Sequence, residues 1–117
     1  MLMNNIAVVG GGTMGTGIAY VAAQAGCHVT VVEPNERTAE SMQDSLSDAA
    51  DNGIARGRLD KEGARFLLKR INHVFDVDDI ALGMDLVIET VPERVDIKLD
   101  VLRKIAQREP SIIASNT

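Results

Sequence analysis

The sequence predicts an α/β fold, a doubly wound parallel sheet with helices on both faces. Three observations carry that expectation. Short β-branched runs alternate with segments of helical period, the pattern of right-handed βαβ units. A glycine loop, Gly10-Gly11-Gly12, separates the first run from the first helical segment. The chain is 45% hydrophobic but only 3% aromatic, and Val, Ile, Leu and Ala suit strands buried on both faces.

The elements follow in order. Asn5-Ile6-Ala7-Val8-Val9 is a buried strand running into the glycine turn. Ile18, Val21, Ala22 and Ala25 recur at helical spacing, and Gly26 stands where a helix C-cap glycine belongs. His28-Val29-Thr30-Val31-Val32-Glu33 is the second strand, broken by Pro34. Asn35 can cap a long helix carrying Ala39, Met42, Leu46 and Ala49 on one stripe, reaching toward Gly53 or beyond. Arg56-Gly57-Arg58-Leu59 reads as a turn, and Asp60 caps a further helix with Ala64, Leu67 and Leu68 facing inward. Ile71 to Phe75 is a third, weaker strand. Asp78 to Leu82 is at most a short helix ended by Gly83, and Leu86-Val87-Ile88 is the fourth strand. Val95, Leu99, Leu102 and Ala106 give a last helix, and after Pro110 comes a strand from Ser111. The expected strand order is 3-2-1-4-5.

Composition narrows the class. At 117 residues the chain is one domain's length, with enough apolar residues for a core. No apolar run approaches the roughly 20 residues of a membrane span, and Met1 to Asn5 lacks the basic start of a signal peptide. A lone Cys27 forms no internal disulfide, so a reducing cytoplasm is expected. The net charge of −5, with one Tyr, two Phe and no Trp, argues against a nucleic-acid surface.

Gly10, Gly12 and Gly15 spell G-x-G-x-x-G between a predicted strand and a predicted helix, and Glu33 ends the next strand. In a Rossmann-type sheet this is a dinucleotide-binding turn. Gly10 allows the tight bend, Gly12 lets backbone amides approach a pyrophosphate, and Gly15 lets the helix pack closely on the sheet. Thr13 and Met14 then lie at a helix N-terminus whose unpaired N–H groups favour phosphate. A carboxylate at Glu33 accepts from ribose hydroxyls and repels a 2′-phosphate, so NAD is expected over NADP, although nearby Arg37 keeps NADP open. The remaining candidates are weaker. His28 and His73 have no nearby acid or metal-ligand spacing and read as structural, and Cys27 reads as a packed edge residue. Arg56, Arg58, Lys61, Arg65, Lys69 and Arg70 form a basic stretch that is either a solvated helix face or an anion site.

These residues resemble a known family. Val8-Val9-Gly10-Gly11-Gly12-Thr13-Met14-Gly15-Thr16-Gly17-Ile18-Ala19 resembles the opening fingerprint of the L-3-hydroxyacyl-CoA dehydrogenases. Asp85-Leu86-Val87-Ile88-Glu89-Thr90-Val91-Pro92-Glu93, then Lys98, is similar to their second block, and Ala114-Ser115-Asn116-Thr117 to the start of their third. The resemblance implies the N-terminal NAD-binding domain, residues 1–117, truncated before an all-α catalytic and dimerisation domain. The enzyme it implies interconverts L-3-hydroxyacyl-CoA and 3-oxoacyl-CoA, with short chains such as 3-hydroxybutyryl-CoA favoured, as in fatty-acid β-oxidation or butanoate metabolism. It further implies that Glu33 is the ribose ligand, that Glu93 and Lys98 contact the nicotinamide half, and that Asn116 joins the cofactor contacts.

The helix pair between the second and third strands resembles the family's projecting arm, which touches CoA. Arg56 aligns with a CoA-phosphate lysine, while Ala49 stands where the family has a CoA-contact serine. The family's catalytic serine and His–Glu pair would follow Thr117, so no residue of this chain is expected to be catalytic. An acyl-CoA substrate and a homodimer formed through the later domain are implied, with neither nucleic acid nor membrane as partner. Gulonate, carnitine and other β-hydroxyacid dehydrogenases share much of these blocks. A non-catalytic NAD-sensing module would need neither the arm nor the Ser-Asn-Thr end.

Overall fold

The computed structural model describes residues 3–92 and 94–116. Five strands form one parallel sheet in the order β3-β2-β1-β4-β5, as the sequence predicts. They are β1 (Asn5–Val9), β2 (His28–Val32), β3 (Ile71–Val74), β4 (Leu86–Glu89) and β5 (Ile112–Ser115). The helices are α1 (Thr13–Gln24), α2 (Glu36–Ala55), α3 (Lys61–Lys69) and α4 (Val95–Ala106), with one 3₁₀ turn at Val77–Asp79. Among the described residues no helix is long and apolar enough to cross a membrane.

Two aliphatic cores sandwich the sheet. Ile6, Val8, Val29 and Val31 face α1, α2 and α3, whose Ala19, Ala23, Met42, Leu46 and Leu67 complete that layer. Ala7, Val9, Val32 and Val87 face the other way, against Val77, Ile80, Met84 and Ile105. Successive β1 residues therefore serve opposite layers, which is why its run is apolar throughout rather than alternating.

The caps are as the sequence indicates. Asn35 Oδ1 accepts from the Thr38 N–H at 3.0 Å, and Asp60 Oδ1 accepts from the Gly63 N–H at 2.6 Å. Gly26 (φ +99°) closes α1. Its N–H reaches the Ala23 carbonyl and the Cys27 N–H reaches Ala22, the paired bonds of a Schellman motif. Cys27 is a packed edge residue, its thiol donating to the Met3 carbonyl.

The face of α1 differs from expectation. The stripe of Ile18, Val21, Ala22 and Ala25 is not the buried one: Gly15, Ala19 and Ala23 are, while Val21 is 64% exposed and Ala25 is exposed too. The helix lies so close to the sheet that only small residues fit along its contact line, leaving Ile18 and Ala22 on the flanks. On α2 the fourth buried position is Ala50 rather than Ala49. Ala49 turns toward α1 and offers its carbonyl to the Tyr20 hydroxyl at 3.4 Å.

Candidate functional site

The C-terminal ends of β1, β2 and β4 meet at the strand-order reversal, where open α/β sheets form a crevice. The β1–α1 turn builds its floor. Gly10 has φ +113°, and its N–H donates to the Val32 carbonyl at 2.8 Å. A side chain on Gly10 would strike Thr90 Oγ1, and one on Gly15 would strike the Gly10 carbonyl. Thr90 is what closes the turn: its hydroxyl donates to the Val9 carbonyl at 2.9 Å and lies 3.3 Å from that of Gly10. Gly12 is different. It is the N-cap of α1 in ordinary extended backbone (φ −75°), with no side-chain cap, and a Cβ there would meet nothing within 4 Å. Thr13 and Met14 follow at the exposed first turn, Met14 being 56% exposed.

Above this floor opens a cleft of about 710 Å³. Gly10, Gly12, Thr13, Met14 and Gly15 line it, and Glu33 stands on the same wall at the end of β2. The Glu33 carboxylate is fixed by two amides, Gly11 N–H to Oε1 and Asn35 N–H to Oε2, both 2.9 Å. His73 has the structural role expected of it, with Nε2 2.9 Å from the Glu33 carbonyl and its ring edge-on to Phe75. Phe75 and Val77 after β3 and Val91 and Pro92 after β4 add apolar walls. Arg37 lines a neighbouring groove between α1 and α2 instead, among Thr38, Ser41 and Ser45.

Lys98 does not line this cleft. Its ammonium lies 3.5 Å from Glu89 Oε1 and donates to the Asn116 carbonyl at 3.4 Å, bridging the ends of β4 and β5. Asn116 is exposed, its N–H bonded to the Glu89 carbonyl at 2.9 Å. Glu93 lies outside the described residues. Arg56 caps the C-terminus of α2 on the helical arm, exposed and away from the cleft. The basic stretch divides: Arg70 turns inward onto the Ala23 carbonyl at 3.0 Å, and Arg65 lies 5.7 Å from the Phe66 ring centre.

Three contributors carry no role in the sequence reading: Thr90, Glu89 and Ser115. An acid closing the apolar run Leu86-Val87-Ile88 was the available signal, but its partners come from β5 and α4, far along the chain.

Comparisons with known proteins agree with this geometry. Residues 5–117 match the family model of the 3-hydroxyacyl-CoA dehydrogenase, NAD binding domain. A probable 3-hydroxyacyl-CoA dehydrogenase of Caenorhabditis elegans is 32% identical over 98% of this chain and 40% of its own length. The 5-formyl-3-hydroxy-2-methylpyridine 4-carboxylate 5-dehydrogenase of Mesorhizobium japonicum is 36% identical over 99% of this chain and 37% of its own. The crystal structure of (S)-3-hydroxybutyryl-CoA dehydrogenase from Ralstonia eutropha superposes with a TM-score of 0.90 at 30% identity, covering 99% of this chain and 41% of that one. The chain thus spans about two fifths of the length of these proteins. With its glycine turn, the acid after β2 and the strand order accounted for, the chain belongs to the family of NAD-binding domains of the 3-hydroxyacyl-CoA dehydrogenases.

Proposed function

We propose that this chain is the cofactor domain of a longer dehydrogenase that interconverts L-3-hydroxyacyl-CoA and 3-oxoacyl-CoA, with NAD spanning the cleft. The observation that carries the reading is the juxtaposition of Gly12 and Glu33. Beside Gly12 the space is open for a pyrophosphate, and Glu33 lines the same cleft. NAD fits the residues present: uncapped α1 amides for its phosphates, an acceptor for its adenosine ribose, and apolar walls for its rings. Bound NAD supplies the acceptor for the hydride that leaves C3 of the substrate.

The chain's own residues bind and orient. Gly10, Gly12, Thr13, Met14 and Gly15 cradle the phosphates. Glu33 keeps a lone pair on each oxygen beyond its two amide bonds, directing them to ribose hydroxyls and disfavouring a 2′-phosphate. The nicotinamide half then lies across the β4 and β5 ends, where Thr90, Glu93, Lys98 and Asn116 belong to its surroundings. Proton transfer is not assigned to this chain's histidines: His73 lies under Glu33, and His28 starts β2, at the opposite end of the sheet. Arg56 on the arm is suited to a CoA phosphate. The lone Cys27 favours a reducing compartment, the cytoplasm, and dimerisation would fall to a later domain.

A hydroxy substrate without CoA is a second reading. It draws support from the name of the Mesorhizobium relative and from Ala49, which offers no hydroxyl for CoA.

Calorimetry with NADH and NADPH tests the cofactor assignment. NADH binds about tenfold tighter, roughly 1.4 kcal/mol, and Glu33→Ala erases most of that difference. Equal or reversed preference in the unmodified chain overturns the role of Glu33.

A further inference from the structure

We propose that Glu89 is a positioning residue, a buried carboxylate that sets the Lys98 ammonium and the end of β5 beside the nicotinamide half of the cleft. The assignment rests on the dinucleotide reading above. Glu89 is wholly buried, the one charged residue so placed among the described residues. It closes β4 between Val9 of β1 and Ser115 of β5. Three donors converge on it: the Val91 N–H on Oε2 at 2.6 Å, the Ser115 hydroxyl on Oε1 at 2.6 Å, and the Lys98 ammonium at 3.5 Å.

Each bond runs to a different element. Val91 lies in the β4–α4 connection, Ser115 ends β5, and Lys98 stands on α4 and reaches on to the Asn116 carbonyl. The Asn116 N–H returns to the Glu89 backbone carbonyl. One carboxylate therefore fixes the mutual placement of the β4–α4 connection and α4, which border the cleft beyond Thr90, and the end of β5 next to them.

Stability gives no reason for an ion here. The neighbouring β1 position is Val9, packed in the apolar layer, and burying a carboxylate with its cation is costly where an apolar side chain would serve. The fold carries this pair at the strand-order reversal, at the edge where the ligand lies. Lys98 is also the one charged group of the network with remaining access to solvent, 13% against 0% for Glu89. The network thus holds a cation between the ends of β4 and β5, next to the cleft rather than in its lining, and hides the anion that fixes it.

The test separates the two halves of the ligand. NADH and ADP are titrated by calorimetry into the unmodified chain, Glu89→Gln and Lys98→Met. ADP carries the adenosine and both phosphates and stops there. Glu89→Gln keeps the volume and an acceptor but drops the charge that holds Lys98. NADH is expected to weaken about tenfold and ADP to stay within about twofold. Lys98→Met, which leaves the sheet residue untouched, is expected to give the same split. Equal loss of both ligands, or NADH affinity unchanged in either variant, overturns the positioning role alone. An unmodified chain that binds neither ligand overturns the dinucleotide reading and this assignment with it.

Discussion

Gly12 and Gly15 stand three residues apart in one motif and answer to different physics, so one substitution at each separates fold from ligand. A Cβ on Gly15 would overlap the Gly10 carbonyl. That carbonyl cannot retreat, because Gly10 is held by Val32 on one side and Thr90 on the other. Alanine in a helix gains about 1 kcal/mol of propensity over glycine, whereas overpacking a fixed backbone costs up to about 3 kcal/mol. Gly15→Ala therefore loses about 2 kcal/mol, a fall in Tm of about 8 °C at roughly 4 °C per kcal/mol. Gly12 has ordinary backbone angles and open space around its Cα. Valine is a poor N-cap, by about 1 kcal/mol, but it restricts the unfolded chain, which returns about half of that. Gly12→Val should melt within about 3 °C of the unmodified chain. Its side chain fills the space a pyrophosphate needs, so NADH affinity should fall at least about a hundredfold, some 2.7 kcal/mol. Thermal melts and NADH titrations on both variants decide the matter. A Gly12→Val chain that binds NADH normally, or a Gly15→Ala chain with unchanged Tm, would refute the reasoning.

Thr90→Val removes the hydroxyl that bonds the Val9 and Gly10 carbonyls. About 1–2 kcal/mol of stability should go with it, measured by urea unfolding, while Thr90→Ser should restore most of the loss. The Asp85 carboxyl is held below its ordinary value of 3.8 by the Asn5 and Asn4 N–H groups. A depressed folded pKa gives stability that is present above the unfolded value and lost as pH falls through the folded one. Asp85→Asn should accordingly flatten the acid limb of a Tm–pH profile below about pH 4, and an unaltered limb would count against the contact. Arg56→Ala should weaken binding of free CoA to the chain about threefold to tenfold, and an unchanged titration removes Arg56 from the substrate site.

Local signals are enough to bring half of the candidate cleft's lining together. The glycine loop, α1 and the acid at the end of β2 follow one another in the chain, and each residue's place follows from its neighbours. Asn35, Asp60 and Gly26 mark helix ends for the same reason. Hydrophobic periodicity points to a different face of α1 because it weighs side chains by size. Val21 outweighs Ala19 in that count, yet the close approach at Gly15 leaves room only for small residues. Arg70 looked like one more charge in a basic stretch, and its inward turn to cap α1 depends on a helix end brought near by the fold. The motif that carries Lys98 gives no sign of its ion pair with Glu89 or its bond to the Asn116 carbonyl, partners that sequence spacing does not relate.

Glu33 and Glu89 show how one residue type meets two environments at the ends of the strands that flank β1. A carboxylate offers about four acceptor positions. Glu33 fills two with backbone amides, one per oxygen, and stands on the cleft wall, so what remains is available to a ligand. Glu89 fills two as well, with the Val91 N–H and the Ser115 hydroxyl, but it is enclosed and ion-paired with Lys98, so its negative charge is spent inside the protein. The same change, Glu→Gln, should therefore act differently at the two sites. At position 33, on the proposed ribose role, it puts a donor where hydroxyls need acceptors and lifts the repulsion of a 2′-phosphate, which alters the choice between NADH and NADPH. At position 89 it loosens a cation and a strand end, which alters the choice between NADH and ADP. Environment separates the two roles, and two titrations on two variants are enough to tell them apart.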